Sequence, residues 1–301
     1  MWILCAFISA FLIGLQDIAR KQALTNNPVL SVLLLNLFFC TLFLTPIIIS
    51  AELGVGWFSG TYLEIPPSDL YSHMLVIVKA LIVLISWLLM YFSLKYLPIT
   101  LTAPINATYP ILTLLGAMWI FGERLNFFQW AGILISVFSL VLLKKSGEKE
   151  GIVFSRNKWI WLLAGSAVFS AISGLYDKFL MQRVHFLFVQ SWYTFYQLLF
   201  MAVAIWCLNH FQPIQKKLHW NWAILLVSIF MVTSEFCYLY ALHEPTAMIS
   251  MVSMMRRASV LVTFIGGAIW FKEKNLRSKS IDLVFVFIGA ILLGVGSYLK
   301  F

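Results

Sequence analysis

Arg256 and Arg257 stand side by side in an apolar run from Thr246 to Phe271, about ten residues after its start and fourteen before its end. Charges at mid-depth of a membrane-length run cost about 2.5–3.5 kcal/mol each on insertion scales, so by default they mark a substrate or ion path. At about 1.5 Å per residue, neither reaches a head-group layer with ease. Neighbouring residues on a helix point about 100° apart. One guanidinium can therefore face a central cavity while the other meets a carboxylate on another helix. Guanidinium forks match carboxylate or phosphate bidentately and stay charged when buried. The expected chemistry is recognition of an anion, with no bond made or broken. The alternative is a pair of arginines neutralised by acids and holding no ligand.

Counter-charges are available in Asp17, Asp177 and Glu235, each inside another apolar run. Any of them could balance an arginine or carry a coupling proton. Glu235 is the deepest; Asp17 and Asp177 lie nearer the ends of their runs. Lys79 sits about one and a half turns into its run, close enough to an end to snorkel, and is a further candidate. Asn106, Tyr109 and Tyr176 complete the expected substrate-binding set. No catalytic or metal-binding residue is expected: Cys5, Cys40, Cys207 and Cys237 all lie in apolar runs without a Cys-x-x-Cys pair, and read as small hydrophobes.

Such residues need elements that hold them inside a bilayer. Of the 301 residues 61% are hydrophobic and 11% charged, and mean hydropathy is +0.91. A soluble fold uses about 25% charged residues to cover its surface; this chain cannot, and is expected to face lipid instead. Runs long enough to cross about 30 Å of hydrocarbon fall near 2–23, 29–50, 74–95, 101–121, 127–143, 158–181, 186–210, 222–242, 246–271 and 281–299. They lack the ten-residue alternation of a barrel, so the fold class is all-α integral membrane with ten helices. The net charge of +9 sits in short clusters between runs, which points to membrane topology and not to nucleic acid. The amino-terminal run has no basic segment before it and is long enough to span, unlike a cleaved signal peptide.

The two halves repeat. Gly14, Leu15 and Asp17 recur as Gly174, Leu175 and Asp177, an offset of 160; Thr113, Gly116, Phe121 and Glu123 recur as Thr263, Gly266, Phe271 and Glu273, an offset of 150. The longer loop from about Ala51 to His73 absorbs the difference. The second offset places Arg256 opposite Asn106. The expected organisation is a first repeat over 1–145, a basic linker over 146–157 and a second repeat over 158–301. Five spans per repeat invert the second copy, and inverted repeats place a binding site near the midplane that opens to each side in turn.

Phe121-Gly122-Glu123-Arg124-Leu125 closing the fourth run, Phe271-Lys272-Glu273 closing the ninth, and Tyr96-Leu97-Pro98 with Tyr109-Pro110 before them give the chain a family resemblance. It resembles the EamA-type members of the drug/metabolite transporter superfamily over nearly its whole length. The second half departs from the pattern at Val260, where the first has Pro110. The resemblance implies a secondary transporter of a small organic solute working by alternating access, in a cell membrane such as the bacterial inner membrane. Paired basic residues in the ninth span are also similar to those with which triose-phosphate translocators hold phosphate, which favours an anionic or zwitterionic metabolite. The partners expected are the lipid bilayer, the small-molecule substrate and a coupling proton or counter-substrate; no cofactor is implied. The competing readings are an exporter of amino acids or drugs with structural arginines, and a lipid flippase. No His-Glu-x-x-His, Gly-x-Ser-x-Gly or Walker sequence supports an enzyme or an ATP-driven pump. Lys and Arg concentrate in the loops after odd-numbered spans, so the positive-inside rule puts both termini outside, whereas the resemblance implies cytoplasmic termini.

Overall fold

The computed structural model describes residues 2–61, 63–66, 69–106, 109–121, 125–148, 151–181, 183–211, 218–243, 252, 255–273 and 276–298. Among them the chain is all-helical. The helices are α1 (Trp2–Leu24), α2 (Val29–Glu52), α3 (Leu70–Tyr96), α4 (Ile99–Asn106), α5 (Tyr109–Phe121) and α6 (Phe127–Glu148) in the first half. The second half contributes α7 (Lys158–Leu180), α8 (Phe186–Phe211), α9 (Trp222–His243), α10 (Ser259–Ile269) and α11 (Leu276–Tyr298). Eight of these are long and apolar enough to cross a bilayer. The fourth expected span is represented by α4 and α5 on either side of residues 107–108, and the ninth by α10 and the residues leading into it. The Gly122–Arg124 part of the motif after span four, and the start of the expected run at Thr246, lie outside the described residues.

Local chemistry sets the ends of these helices. Asp69 caps α3 by accepting from the Ser72 amide at 3.0 Å and the Ser72 hydroxyl at 2.6 Å, and these bonds hold its carboxyl below the usual aspartate value. Its start at Leu70 lies a turn before the expected one, because the cap sits upstream of the apolar run. Asn157 caps α7 in the same way through the Trp159 amide. Pro98 cannot continue α3, and α4 begins directly after it.

The repeats interlock. α1 packs on α9 and α10, α7 on α3 and α5, and α11 on α6. Outward faces carry exposed Phe, Leu, Ile and Trp, as a lipid-facing surface requires.

One end of the bundle, the end bearing the basic odd-numbered loops, is sealed. Ala23, Leu24, Leu33, Leu94 and Ile99 form part of a buried cluster there, with Phe271 against it. Polar contacts close the same end. Lys21 donates to the Leu94 and Leu97 carbonyls at 2.5 and 2.6 Å, satisfying the C-terminus of α3. Glu273, from the second repeat, accepts from the Ile99 and Thr100 amides at 2.7 and 2.9 Å and from the Thr100 hydroxyl. Its negative charge sits at the positive end of α4. Lys279 reaches the same hydroxyl at 2.8 Å. Bonds to a charged acceptor contribute about 1.5–3 kcal/mol each, so this staple between repeats holds the end shut. Replacing Glu273 with Ala is expected to open it: a cysteine at buried Ile99 should react with a membrane-impermeant maleimide about tenfold or more faster, since about 1.4 kcal/mol is a factor of ten. Unchanged labelling would show that the apolar cluster alone seals the end.

Candidate functional site

A cavity of about 270 Å³ lies between α1, α3, α5, α7, α9 and the residues before α10. Four helices each contribute one stripe at helical spacing: Ile13, Gln16, Asp17 and Arg20 from α1; Lys79, Val83, Ser86 and Trp87 from α3; Ser170, Ser173, Gly174 and Asp177 from α7; Met231, Glu235 and Tyr238 from α9. Ala103 and Asn106 of α4, Tyr109 of α5 and Tyr193 of α8 also line the wall. Residues three, four and seven apart share a helix face, so the cavity wall is written along each span in the same rhythm.

Four cations and three carboxylates line the cavity among the described residues. Three pairs form. Arg20 donates to Asp17 at 2.8 Å, Lys79 to Asp177 at 2.5 Å and Arg256 to Glu235 at 2.7 Å. Every cation also lies over an aromatic face: Arg20 over Tyr91 at 5.0 Å, Lys79 over Tyr193 at 5.0 Å, Arg256 over Tyr238 at 3.8 Å and Arg257 over Tyr109 at 4.0 Å. Arg257 differs from the other three. Its Nη2 donates to the Tyr109 hydroxyl, no carboxylate pairs with it among the described residues, and its Nε is buried with no partner among them. The Asn106 Oδ1, also lining the cavity, is likewise buried without a partner. Among the described residues the cavity thus presents one unbalanced positive charge.

The backbone tightens where the arginines sit. Arg257 and Ala258 form turns, and bonds run to the third residue back: Ala258 N–H to Met255 at 2.9 Å, Val260 N–H to Arg257 and Leu261 N–H to Ala258, both at 3.0 Å. This is 3₁₀ geometry inside a span. It sets the N-terminus of α10, with its positive dipole end, beside Arg257.

Exposure grades along the cavity. Among the lining carboxylates, Asp177, near the C-terminal end of α7, is 31% exposed and Glu235, midway along α9, 27%, against 16% for Asp17 toward the sealed end. It therefore opens toward the end bearing the even-numbered loops, away from the Glu273 staple.

Of the residues expected from the sequence, the structure brings Arg256, Arg257, Asn106, Tyr109, Asp17, Asp177, Lys79 and Glu235 to one cavity. Tyr176 is not among them: its hydroxyl donates to the Leu75 carbonyl at 3.0 Å and its ring stacks on Phe179. Being next to Asp177 in sequence turns it about 100° off the lining stripe. Lys79 does not snorkel to an end; it is buried against Asp177. Sequence reasoning missed Arg20, grouped with the basic residues after span one, and Gln16, Ser86, Ser170 and Ser173, whose types are unremarkable in any helix. The signal for Arg20 was its i, i+3 spacing from Asp17.

Ten spans in two inverted five-span repeats around a charged central cavity define a multi-pass membrane protein of the transporter class. The chain belongs to the EamA-like transporter family, whose model matches residues 1–144 and 157–295. No individual curated protein matches it.

Proposed function

We propose that this protein is a secondary transporter that carries a small organic anion, or a zwitterion presenting a carboxylate or phosphate, by alternating access around the cavity. The observation that carries the reading is Arg257: the other three lining cations each have a carboxylate, and it has none among the described residues. An unbalanced guanidinium in a membrane interior is costly, and a bound anion cancels that cost. Arg257 Nε supplies a donor for it. A full anion brings the lining to neutrality, which favours it over a zwitterion. A volume of about 270 Å³ has room for a small metabolite.

The sealed basic end and the open opposite end are one of the two states that alternating access needs. If the basic loops face the cytoplasm, this state opens outward in a cell membrane, with both termini outside. The repeats over 1–145 and 158–301 then act as the two halves that rock about the site, with the segment 146–157 as their linker.

The test is a thermal-shift series on the purified protein with succinate, glutamate, glucose 6-phosphate and tetraphenylphosphonium. A ligand of the folded state stabilises it by RT ln(1 + [L]/Kd). Carboxylates or the phosphate are expected to raise Tm in proportion to the logarithm of concentration, and the cation is expected not to. Stabilisation by the cation alone would overturn the reading in favour of a drug exporter with structural arginines.

A further inference from the structure

A second, smaller pocket opens between α3, α7, α8 and α9, with a volume of about 30 Å³. That is room for one or two water molecules, each of which needs about 10–15 Å³ of such space. Asp177 and Glu235 line it as they line the main cavity, together with Lys79, Gln190 and Tyr193. Gln190 is 2% exposed. Its amide nitrogen donates to the Val232 carbonyl at 3.3 Å, while its Oε1 is buried without a partner among the described residues. A buried amide oxygen left unbonded is costly. The donor that fits this volume, and can serve the amide oxygen and a carboxylate together, is a water or hydronium.

We propose that this pocket is the loading site of a coupling proton, and that Glu235 is its acceptor. The proposal rests on the anion-binding reading above. A hydronium held between Gln190 Oε1 and Glu235 loses one O–H bond as an O–H bond forms on the carboxylate, and the water stays behind. The neutral carboxyl no longer balances Arg256, whose guanidinium lies 2.7 Å from Glu235 Oε1. Arg256 then joins Arg257 as a second unpaired fork. Proton and anion therefore strengthen each other's binding, reciprocally, and move together.

The charged and titratable surroundings of Glu235 fit this role. Arg256 and Arg257 face it from the segment before α10, Lys79 from α3 and Asp177 from α7. Tyr238 lies on its own helix, Tyr193 comes from α8 and Tyr109 from α5. From α1, Asp17 and Arg20 are paired with each other. Asp177 suits the task less, because the cation it would free is Lys79 and not the sequence neighbour of Arg257.

Infrared spectroscopy of the protein in phosphatidylcholine vesicles tests the site with the proton as ligand. Lowering pH is expected to raise a carboxylic-acid carbonyl band in the wild type. Glu235→Gln should lose that band, Glu235→Asp should keep it at a different midpoint, and Gln190→Leu should shift its frequency by removing the shared water. A band unchanged in Glu235→Gln overturns the proposal. So does a band abolished at fixed pH when sodium chloride replaces choline chloride, which would make the pocket a sodium site. In the wild type, an anion that raises Tm is expected to enlarge the band at constant pH. If the band behaves as expected but no carboxylate or phosphate raises Tm, the proton site stands and the anion reading falls. If anions raise Tm while the band ignores them, the coupling falls and the anion reading stands.

Discussion

Arg257→Leu is expected to abolish anion binding and transport while leaving the fold nearly intact. Arg257 is the lining cation without a carboxylate among the described residues, so its loss strands no acid; the Tyr109 hydroxyl keeps a cavity to face. Truncating one partner of a buried charge-assisted contact costs 2–5 kcal/mol of binding, and about 3 kcal/mol is on the order of a hundredfold in Kd. Arg257→Lys keeps the charge but not the fork, and should recover part of the affinity. Arg256→Leu should behave differently. It leaves Glu235 unbalanced within the membrane, and breaking a buried pair is strongly destabilising. With Glu235 27% exposed, a loss of about 2 kcal/mol is expected, read as a lower Tm before any ligand is added. Solute uptake into vesicles and Tm on the same preparations separate the two variants. Normal uptake by Arg257→Leu would sink the anion site.

What the sequence disclosed follows from what a bilayer penalises. Hydrocarbon allows few charges, so Arg256, Arg257, Glu235, Asp17 and Asp177 stand out by residue type alone, and all five meet in one cavity. Arg20 was harder to find because a cation four residues from a helix end looks like an interfacial anchor; only folding shows it buried over Tyr91. Serines carry little signal in any span, and Ser86 and Ser170 acquire meaning only when α3 and α7 bring their hydroxyls to 2.8 Å. Adjacency misled in the case of Tyr176, since sequence neighbours on a helix do not share a face. Glu273 was legible as a motif and not as a staple: its partners, Ile99 and Thr100, lie in the other repeat, and no local pattern reports a contact across more than 170 residues. Which arginine would be left unpaired was also beyond the sequence, because that depends on the side from which α9 approaches.

Gly14→Val is expected to prevent the sealed state and to stop transport. The internal repeat makes α1 against α10 equivalent to α7 against α5, yet the two interfaces differ. A Cβ on Gly14 would lie 2.4 Å from Val262 Cβ and 2.9 Å from the Ser259 carbonyl, and one on Gly266 would meet Ile18 at 2.1 Å. In the second interface, a Cβ on Gly174 would find Thr113 at 3.9 Å, ordinary contact, while one on Gly116, the counterpart of Gly266, would meet the Leu175 Cδ1 at 2.7 Å. Thr263 and Thr113 each bond the carbonyl four residues back, Ser259 at 3.0 Å and Tyr109 at 3.3 Å, and Thr263 alone also lies 3.4 Å from its repeat's aspartate, Asp17. The two interfaces therefore differ at Gly14 against Gly174, where the first is closed and the second has room. Extra carbons in the closed interface cost about 1–3 kcal/mol through forced shifts, enough to move the equilibrium away from this state by about tenfold or more. Gly14→Val should lower Tm and speed maleimide labelling of a cysteine at Ile99. Gly174→Ala meets no such obstacle here and should leave Tm near the wild-type value. If the opposite state closes α7 on α5 as tightly, the added methyl will slow transport without affecting the stability of this one. Wild-type uptake by both variants would show that the glycine interfaces do not tighten and relax in turn.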